Sequence, residues 1–339
     1  MSRSSLQEIA DRAQLAKSTV SMVLNGDARA RVSQEKRALI RQLVRELNYQ
    51  PSRTAAALRR KRTDMLGMVI SDIRDPYFAN LAEAALVFCG RRGFQLLFAL
   101  SRCDQEQERR GLENLLNRQV DGIFHSPFLA PDAPLAERLR KLSVPLLLRE
   151  QKLPGFSSVG YNRREAVRRA VTDLKAQGCR RLLLLITETL DDPAEYRSWF
   201  PASEHISVEP LRPGIMETVL KFRPDGIYSA QCSFIRELLL TPETVNGTYR
   251  PRFATIYTFP EDRINSPLIT GYVVNPFFRM VETAMNELMD RVEKKSAATA
   301  NIQLPCEYLS SKDFSSICSG LPDTLEKYEQ QTCQERNQS

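Results

Sequence analysis

Apolar residues in the first fifty positions recur every three or four residues, which is the spacing of short amphipathic helices. The pattern predicts a helix over 5–14, a turn at 14–16, a second helix over 17–24 and a third helix from about Ser33. Their common core is predicted to contain Leu6, Ile9, Ala10, Ala13, Val20, Val23, Leu24, Leu39, Ile40, Leu43, Val44 and Leu47. The short second helix then turns a polar face outward, which suits insertion into the major groove of DNA.

From Met65 onward the pattern changes to apolar runs that alternate with helical stretches. The runs predict strands at 65–71, 94–100, 122–125, 145–148, 181–186, 226–229, 252–257 and 269–274, and the stretches predict helices near 78–91, 105–118, 134–142, 162–177 and 277–294. Alternating strands and helices favour parallel sheets with helices on both faces. Sheets of this kind bind ligands at the carboxyl ends of their strands.

The positive charge of the chain is concentrated near its amino terminus. Residues 1–63 hold 14 Lys and Arg against 5 Asp and Glu, whereas the remaining residues hold 34 against 36. The net charge of +7 is therefore +9 in the first part and −2 in the second. A concentrated basic patch is typical of phosphate binding, although a solvated basic surface would carry the same charge. The helical pattern beneath the charge favours DNA binding.

Candidate catalytic and metal-binding residues are sparse in this sequence. The two histidines, His125 and His205, lie far apart, and the seven cysteines show no CxxC spacing. No glycine-rich phosphate loop, nucleophile elbow or acid–base constellation is present. We therefore expect no metal site, no cofactor and no enzymatic activity. The lack of an apolar run of about 18 residues and of an apolar signal core indicates a cytoplasmic protein.

Three stretches resemble the DNA-binding headpiece of the lactose-repressor (LacI/GalR) family, namely LQEIADRAQLAKSTVSMVLN at 6–25, Val32-Ser33, and LNYQPSRTAAAL at 47–58. The resemblance implies an all-α helix-turn-helix headpiece followed by an α/β two-lobed domain like that of periplasmic binding proteins, with parallel sheets. The implied divisions are a headpiece at 1–50, a hinge helix and basic linker at 51–63, and an effector-binding and dimerisation domain at 64–318, with lobe 1 at about 64–160 and 272–300 and lobe 2 at about 161–271 and 301–318. The polar composition of 319–339 predicts a disordered tail.

The resemblance also implies which residues contact DNA. The full set is Ser5, Leu6, Lys17, Ser18, Thr19, Ser21, Met22, Asn25, Arg29, Arg31, Ser33, Ser52, Arg53, Ala55 and Leu58. Met22 departs from the family, which commonly has an arginine there, and Ala16 stands where a Ser or Thr usually caps the second helix; the cap should be weaker by about 1 kcal/mol. Leu58 of each subunit is expected to wedge into a minor-groove step, or else to anchor the hinge against the next domain.

The effector-binding residues that the resemblance implies are Asp72, Tyr77, Phe78, Tyr161, Arg197, Trp199 and Gln231. The segment Asp75-Pro-Tyr-Phe78 is similar to the start of the family's first lobe helix, and Trp199 is either a stacking surface or a core residue. Gln231-Cys232 replaces the usual Asn-Asp pair, so no aspartate is available there to hold two sugar hydroxyls. The domain therefore binds a less hydroxyl-rich effector, or it has lost effector control and serves mainly for dimerisation.

The function implied is that of a transcriptional regulator, in the family most often a repressor. A homodimer would bind a pseudo-palindromic operator in double-stranded DNA, under the control of a small molecule such as a sugar or another metabolite. The alternatives are a small-molecule binding protein and a non-specific DNA-binding protein.

Overall fold

A computed structural model of the chain describes residues 6–24, 30–49, 62–126, 133–142, 144–151, 153–187, 192–201, 204–293, 299–317, 327, 328, 330 and 334. The chain divides into two compact units, 1–63 and 64–339. Within the described ranges no helix is both long enough and apolar enough to cross a membrane.

The described residues of the first unit form three helices, α1 (Leu6–Ala13), α2 (Lys17–Leu24) and α3 (Gln34–Glu46). Its buried core is Ile9, Ala10, Ala13, Val20, Ile40 and Leu43, with Leu6, Leu15, Val23, Leu24, Leu39, Val44, Leu47 and Tyr49 packed around it. The three-helix core predicted from the apolar spacing is confirmed.

The second unit alternates strands and helices along the chain. In chain order they are β1 (Met65–Ile70), α4 (Pro76–Arg91), β2 (Gln95–Leu100), α5 (Gln105–Asn117), β3 (Gly122–Ser126), α6 (Ala133–Arg140), β4 (Leu146–Arg149), β5 (Ser157–Asn162), α7 (Arg164–Ala176), β6 (Leu182–Ile186), α8 (Pro193–Ser198), β7 (Ile206–Pro210), α9 (Ile215–Phe222), β8 (Gly226–Ser229), α10 (Cys232–Leu239), α11 (Pro242–Val245), β9 (Arg252–Tyr257), β10 (Ile269–Val274), α12 (Phe277–Val292), β11 (Asn301–Pro305), β12 (Glu307–Ser310) and α13 (Ser311–Ile317).

These strands form two six-stranded sheets, one in each lobe. The first has the order β11-β5-β4-β3-β1-β2 and the second the order β12-β10-β9-β8-β6-β7. All neighbours are parallel except β10 and β12, which are antiparallel. The predicted two-lobed α/β architecture with parallel sheets is therefore confirmed.

The expected division between the lobes was wrong in two places. Residues 301–305 form β11, which pairs with β5 in the first sheet and not the second. Residues 272–274 belong to β10, which pairs with β9 in the second sheet. The chain thus passes between the lobes after Asn162, at 275–276 and at Cys306. Apolar spacing predicts a strand but contains no information on which sheet the strand joins.

One described residue of the expected disordered tail makes defined contacts. The ring of Tyr328 stacks on that of Phe278 in α12, with centroids 5.8 Å apart. Its hydroxyl donates a hydrogen bond to Glu282 Oε2 at 2.6 Å. The expectation of disorder over the whole of 319–339 was therefore wrong at Tyr328, whose aromatic ring covers apolar surface of the first lobe.

Candidate nucleic-acid interface and ligand cleft

Helix α2 presents a polar face because its apolar residues are drawn into the three-helix core. Val20 is fully buried, which fixes the rotation of the helix. Lys17 and Ser18 are exposed. Ser21 and Met22, one turn further along, are half-buried and lie on the same side of the helix as these two residues. The four side chains predicted to face bases therefore share one face of a single short helix.

The turn between α1 and α2 holds these helices in place. Gln14 adopts a left-handed backbone conformation, with φ at 55°, and so ends α1. The ammonium group of Lys36 in α3 donates to the Ala13 carbonyl at 2.7 Å, which ties the third helix to this turn. At the start of α2 the backbone of Ala16 accepts from Val20 N. Alanine has no side-chain acceptor for the remaining N–H groups, so the capping position lacks its usual hydrogen bond.

The segment before α3 is held by an arginine and presents a second one. Arg37 donates to the carbonyl oxygens of Ala30 at 2.6 Å and Val32 at 3.3 Å. Arg31, between them, is exposed. Ser33 caps α3, because its Oγ accepts from Lys36 N at 3.3 Å. The structure thus gives Ser33 a capping role and leaves the Arg31 guanidinium accessible to a phosphate.

Several residues predicted to contact DNA remain to be placed. Ser5, Asn25, Arg29, Ser52, Arg53, Ala55 and Leu58 lie outside the described residues. Thr19 is half-buried on α2. Leu6 packs against the three-helix core, so that much of its side chain is already committed to folding.

In the second unit, a buried arginine lies at the carboxyl edge of the first sheet. Ser126 is the last residue of β3 and Arg149 the last of β4, and the register of these parallel strands places the two residues side by side. Arg149 Nε donates to Ser126 Oγ at 2.6 Å. Arg149 is only 3% exposed, although the edge at which it lies is where open α/β sheets bind ligands.

Arg149 belongs to a network that we term the Arg149 cluster, defined as Arg149, Glu150, Arg163, Tyr77 and Tyr161. Glu150 forms ion pairs with both Arg149 and Arg163, the second at 2.7 Å. The guanidinium of Arg149 lies 5.0 Å from the centre of the Tyr77 ring, and that of Arg163 lies 4.9 Å from the Tyr161 ring. Glu150 has a left-handed backbone, with φ at 58°, a conformation that costs energy in a residue other than glycine.

The electrostatics of the cluster keep Glu150 ionised. Burial by itself raises the pKa of this carboxyl, but Arg163 and Arg149 outweigh it and hold the pKa below the ordinary value. Burial raises the pKa of Tyr161 well above the ordinary value, so its hydroxyl stays protonated. The cluster therefore holds two guanidinium cations and one carboxylate.

Aromatic rings line the side of the cluster that faces the crossovers between lobes. The hydroxyls of Tyr77 and Tyr161 lie 3.3 Å apart. The Tyr77 ring contacts Phe277 edge-on at 5.4 Å and Phe259 at 6.2 Å. Asp75 caps α4 by accepting from Tyr77 N at 2.8 Å, which sets the position of the ring. Of the predicted effector residues, Tyr77, Phe78 and Tyr161 are thus brought together, with Phe78 largely in the core.

The four other predicted effector residues have their partners elsewhere. Asp72 pairs with Arg74, whose side-chain and backbone hydrogen bonds lower the pKa of Asp72 to about 2. Arg197 is exposed and donates to the Val208 carbonyl of β7 at 2.7 Å. Trp199 is 8% exposed and stacks on Tyr196 at 4.0 Å, as expected of a core residue. Gln231 is exposed at the start of α10, and its backbone bonds Ser229 Oγ.

Sequence reasoning missed Ser126, Arg149, Glu150 and Arg163. A usable signal was present, because Arg149-Glu150 directly follows the apolar run predicted as a strand at 145–148. Charged side chains at that point lie at the carboxyl edge of a parallel sheet. Their pairing with Arg163, which follows the next strand, depends on the order of strands in the sheet.

Hydrogen bonds join the three crossovers between the lobes. Cys306 N donates to the Asn162 carbonyl at 3.0 Å, and Cys306 Sγ donates to Asn275 Oδ1 at 3.3 Å. Asn275 Nδ2 in turn donates to Thr258 Oγ1 at 3.0 Å. A rotation of one lobe against the other would change the distances in these hydrogen bonds. Cys306, a member of this network, lies beside Glu150 and Arg163.

Comparison with known proteins gives matches to both units. Residues 5–52 match the model of bacterial regulatory proteins of the lacI family. The chain is 31% identical over 191 residues to the HTH-type transcriptional regulator PtxS of Pseudomonas plecoglossicida, covering 56% of this chain and 55% of that protein. It is 37% identical over 149 residues to the catabolite repressor/activator of Escherichia coli K12, covering 44% and 45%. These alignments span about half the length of each relative.

The fold as a whole matches that of a solved repressor. The lac repressor dimer bound to operator and the anti-inducer ONPF aligns with a TM-score of 0.73 at 18% identity. The alignment covers 91% of this chain and 98% of the repressor chain. At this identity the likeness shows a shared fold.

Proposed function

We propose that this chain is a sequence-specific transcriptional regulator, on the premise that residues 5–52 match the model of bacterial regulatory proteins of the lacI family. A homodimer binds a pseudo-palindromic operator, and each α2 helix enters a major groove. Repression is the expected outcome, and the protein acts where the DNA is, in the cytoplasm. It performs no catalysis.

The observation that carries this proposal is the outward face of α2. Lys17, Ser18, Ser21 and Met22 share that face, while Val20 on the opposite side is sealed in the core. An ammonium group and two hydroxyls can reach base edges or phosphates, and the Met22 side chain can touch a thymine methyl. Arg31 is exposed beyond the helix, where its guanidinium can contact a phosphate of the DNA backbone.

Dimerisation follows from the symmetry that a palindromic operator requires. The second unit exposes large apolar side chains that a partner would cover. They are Ile73, Leu86 and Phe98 in the first lobe, and Phe222, Leu240 and Val245 in the second. Phe98 lies on β2, the edge strand of its sheet, where unpaired backbone groups invite association.

Effector control is the second part of the proposal. The lac repressor structure with this fold holds a small molecule as well as operator DNA. In this chain the Arg149 cluster lies at the carboxyl edge of the first sheet, where it offers charged side chains and aromatic rings to a ligand. The hydrogen-bonded crossovers between the lobes lie beside it. A ligand that favours one angle between the lobes shifts the balance between two states of the dimer and so changes its DNA affinity.

Selection of binding sites from random DNA by the purified chain tests the DNA-binding function. The proposal requires a two-fold symmetric consensus whose half-sites are spaced by about one helical turn of 10 bp or a multiple of it. Enrichment of no consensus would instead identify a non-specific DNA-binding protein. No DNA binding at all would leave a small-molecule binding protein.

Substitution of Leu58 tests the proposed minor-groove wedge. Leu58→Ala should weaken operator binding roughly tenfold or more, because the cost of unstacking a base step is no longer offset by an inserted side chain. Affinity for scrambled DNA should be unchanged. An equal loss on operator and scrambled DNA would contradict the wedge and favour an anchoring role.

A further inference from the structure

We propose that an arginine-rich surface of the second lobe binds an acidic segment of another protein. The surface, which we term the arginine patch, consists of residues 178–181, 221–225 and 246–252. These three segments lead into β6, β8 and β9, which are neighbours in the second sheet, so the segments meet at its amino edge. The patch is separate from the DNA-binding face of α2 and from the Arg149 cluster.

The patch lies at the outer edge of the second lobe. The three crossovers between the lobes follow the carboxyl ends of β5, β10 and β11, so the carboxyl edges of the two sheets face each other. The amino edge of the second sheet therefore points away from the first lobe. Neither the entry of the chain into the second unit at Asp64 nor the Arg149 cluster lies at this edge.

Positive charge is concentrated in the patch. Its three segments hold six Lys and Arg against one Asp, a net charge of +5, whereas residues 64–339 as a whole carry −2. Arg180, Arg181, Lys221, Arg223 and Arg250 are exposed, and Arg252 is half-buried. A surface of this sign, in a domain of slightly negative net charge, attracts an anionic partner.

The arginines of the patch have no acidic partner within the described part of the chain. Arg181 donates to the carbonyl of Arg223 at 2.9 Å, and Arg223 donates to that of Thr248 at 3.3 Å. Arg252 donates to the Pro267 carbonyl at 2.9 Å. Among the residues that the structure describes, none of the five arginines forms an ion pair. Three guanidinium groups are thus held by carbonyl oxygens, which do not compensate their charge.

The single carboxylate of the patch is used by the backbone. The two carboxyl oxygens of Asp225 accept from Arg180 N at 2.9 and 3.0 Å, and one of them also accepts from Arg181 N at 2.7 Å. Asp225 therefore ties the first two segments together instead of pairing with a guanidinium. Tyr249 ties the third segment to the second, because its hydroxyl donates to the Pro224 carbonyl at 2.7 Å. The three segments form one connected surface.

The composition of the patch favours a protein over a nucleic acid. Five of its six cationic side chains are arginines, and protein interfaces are enriched in arginine and depleted in lysine. Phe222 is 43% exposed, and the Arg181 guanidinium lies 5.8 Å from the centre of its ring. An acidic segment can pair its carboxylates with the guanidinium groups and cover this ring with an apolar side chain, whereas phosphates cover no apolar surface.

A second copy of this chain is a poor occupant of the patch. A two-fold axis through it would bring two sets of positive charges together, which is unfavourable. Phe222 therefore belongs to the site of the acidic partner, and the five other exposed apolar side chains named above remain for dimerisation.

Hydrogen exchange of the full chain, followed by mass spectrometry, tests the proposal. The probe is a synthetic peptide in which Asp and Glu alternate with Phe and Leu. Its amide counterpart has Asn and Gln in place of the acids, and duplex DNA of scrambled sequence is the nucleic-acid probe. The acidic peptide should protect 178–181, 221–225 and 246–252, and the amide counterpart should not. Because exchange is followed segment by segment, attraction of the peptide to the basic first unit is recorded separately.

Charge reversal assigns the binding to the patch. Arg180 and Arg250 are exposed and donate no side-chain hydrogen bond to the described residues, so Arg180→Glu with Arg250→Glu should leave folding intact. The peptide concentration that half-protects the patch should rise at least about tenfold in this double variant. Arg212→Glu with Arg279→Glu is the matched control, because it makes the same change in net charge at two exposed arginines outside the patch. The control should be protected as the wild type is.

Three results would overturn the proposal: no protection of the three segments, equal protection by the amide counterpart, or half-protection of the double variant at the concentration found for the control. Protection by scrambled DNA as strong as that by the acidic peptide would also overturn it and identify a nucleic-acid surface. Dimer mass and affinity for the selected operator should be the same in the double variant as in the wild type. A loss of either would show that the patch serves dimerisation or DNA binding instead.

Discussion

The two candidate sites of this chain are built in opposite ways. The proposed DNA-binding face uses four side chains within six consecutive residues of one helix, Lys17 to Met22, and its geometry follows from helical periodicity. The Arg149 cluster gathers residues from 77 to 163, which meet only because β5, β4, β3 and β1 lie in that order in one sheet. A site carried by one helix can be placed from sequence, whereas a site carried by several strand ends depends on topology.

The two sites also differ in how their charges are compensated. The α2 face is in contact with solvent, and the phosphates of DNA would compensate its positive charge. The cluster is buried and must balance most of its charge internally. Changes in the first site should therefore alter binding with little effect on folding, and changes in the second should alter stability directly.

The largest expected effect comes from Glu150→Gln. The substitution removes the buried carboxylate that pairs with Arg149 and with Arg163, and should lower the free energy of unfolding of the second unit by about 3–5 kcal/mol. Chemical denaturation of the full chain would measure it. Glu137→Gln on the surface of α6 is the control, because this carboxylate is exposed, and it should cost under about 1 kcal/mol.

The same substitution should change the pH dependence of stability. Because the pKa of Glu150 is lower in the folded than in the unfolded chain, its stabilisation is complete above the unfolded pKa, about 4.3, and is lost as the pH falls through the folded pKa. Wild-type stability should therefore fall more steeply than that of Glu150→Gln below about pH 4.3. Parallel curves would contradict the assigned ion pairs.

Truncation of one buried side chain in each unit tests whether the two units unfold independently. Ile40→Ala should destabilise the first unit by roughly 2–5 kcal/mol, because the side chain is fully buried. Hydrogen exchange should rise in α1–α3 and stay unchanged after residue 64. Val219→Ala in α9 is the reciprocal variant and should affect the second unit alone. Loss of protection in both units after either change would mean that they fold together.

Met22→Arg should alter base preference with little change in stability. An arginine on the outward face of α2 can donate two hydrogen bonds to a guanine, worth about 1–3 kcal/mol of discrimination. Repeated site selection should then show a new guanine in each half-site. Gln42→Arg adds the same charge on the exposed side of α3 and should raise affinity for all DNA alike. An unchanged consensus would show that Met22 does not face bases.

The smallest expected effect is at the start of α2. Ala16→Ser should raise the stability of the first unit by about 1 kcal/mol, because the new hydroxyl can accept from an unpaired N–H of the first turn. Ser33→Ala, which removes the α3 cap, is the opposite change and should lower stability by a similar amount. Thermal unfolding followed by the helical signal of the first unit would compare the two.

Much of the fold could be predicted from the sequence, and the reasons are physical. The three helices and their core follow from apolar spacing, and the parallel sheets follow from alternation of strands and helices. The lobe to which β11 and β10 belong could not be predicted, because a strand's own residues do not specify its neighbour. Resemblance pointed to Tyr77 and Tyr161, whose hydroxyls lie close together, and also to Arg197, whose guanidinium bonds β7.

The proposed function requires that the outward face of α2 reads base sequence. The most direct test is the ratio of two dissociation constants, for the selected site and for a scrambled site, measured by fluorescence anisotropy at several salt concentrations. We expect a ratio of at least about a thousand near physiological salt, with both affinities falling as salt rises. A ratio near one at every salt concentration would contradict it and leave only attraction to the DNA backbone.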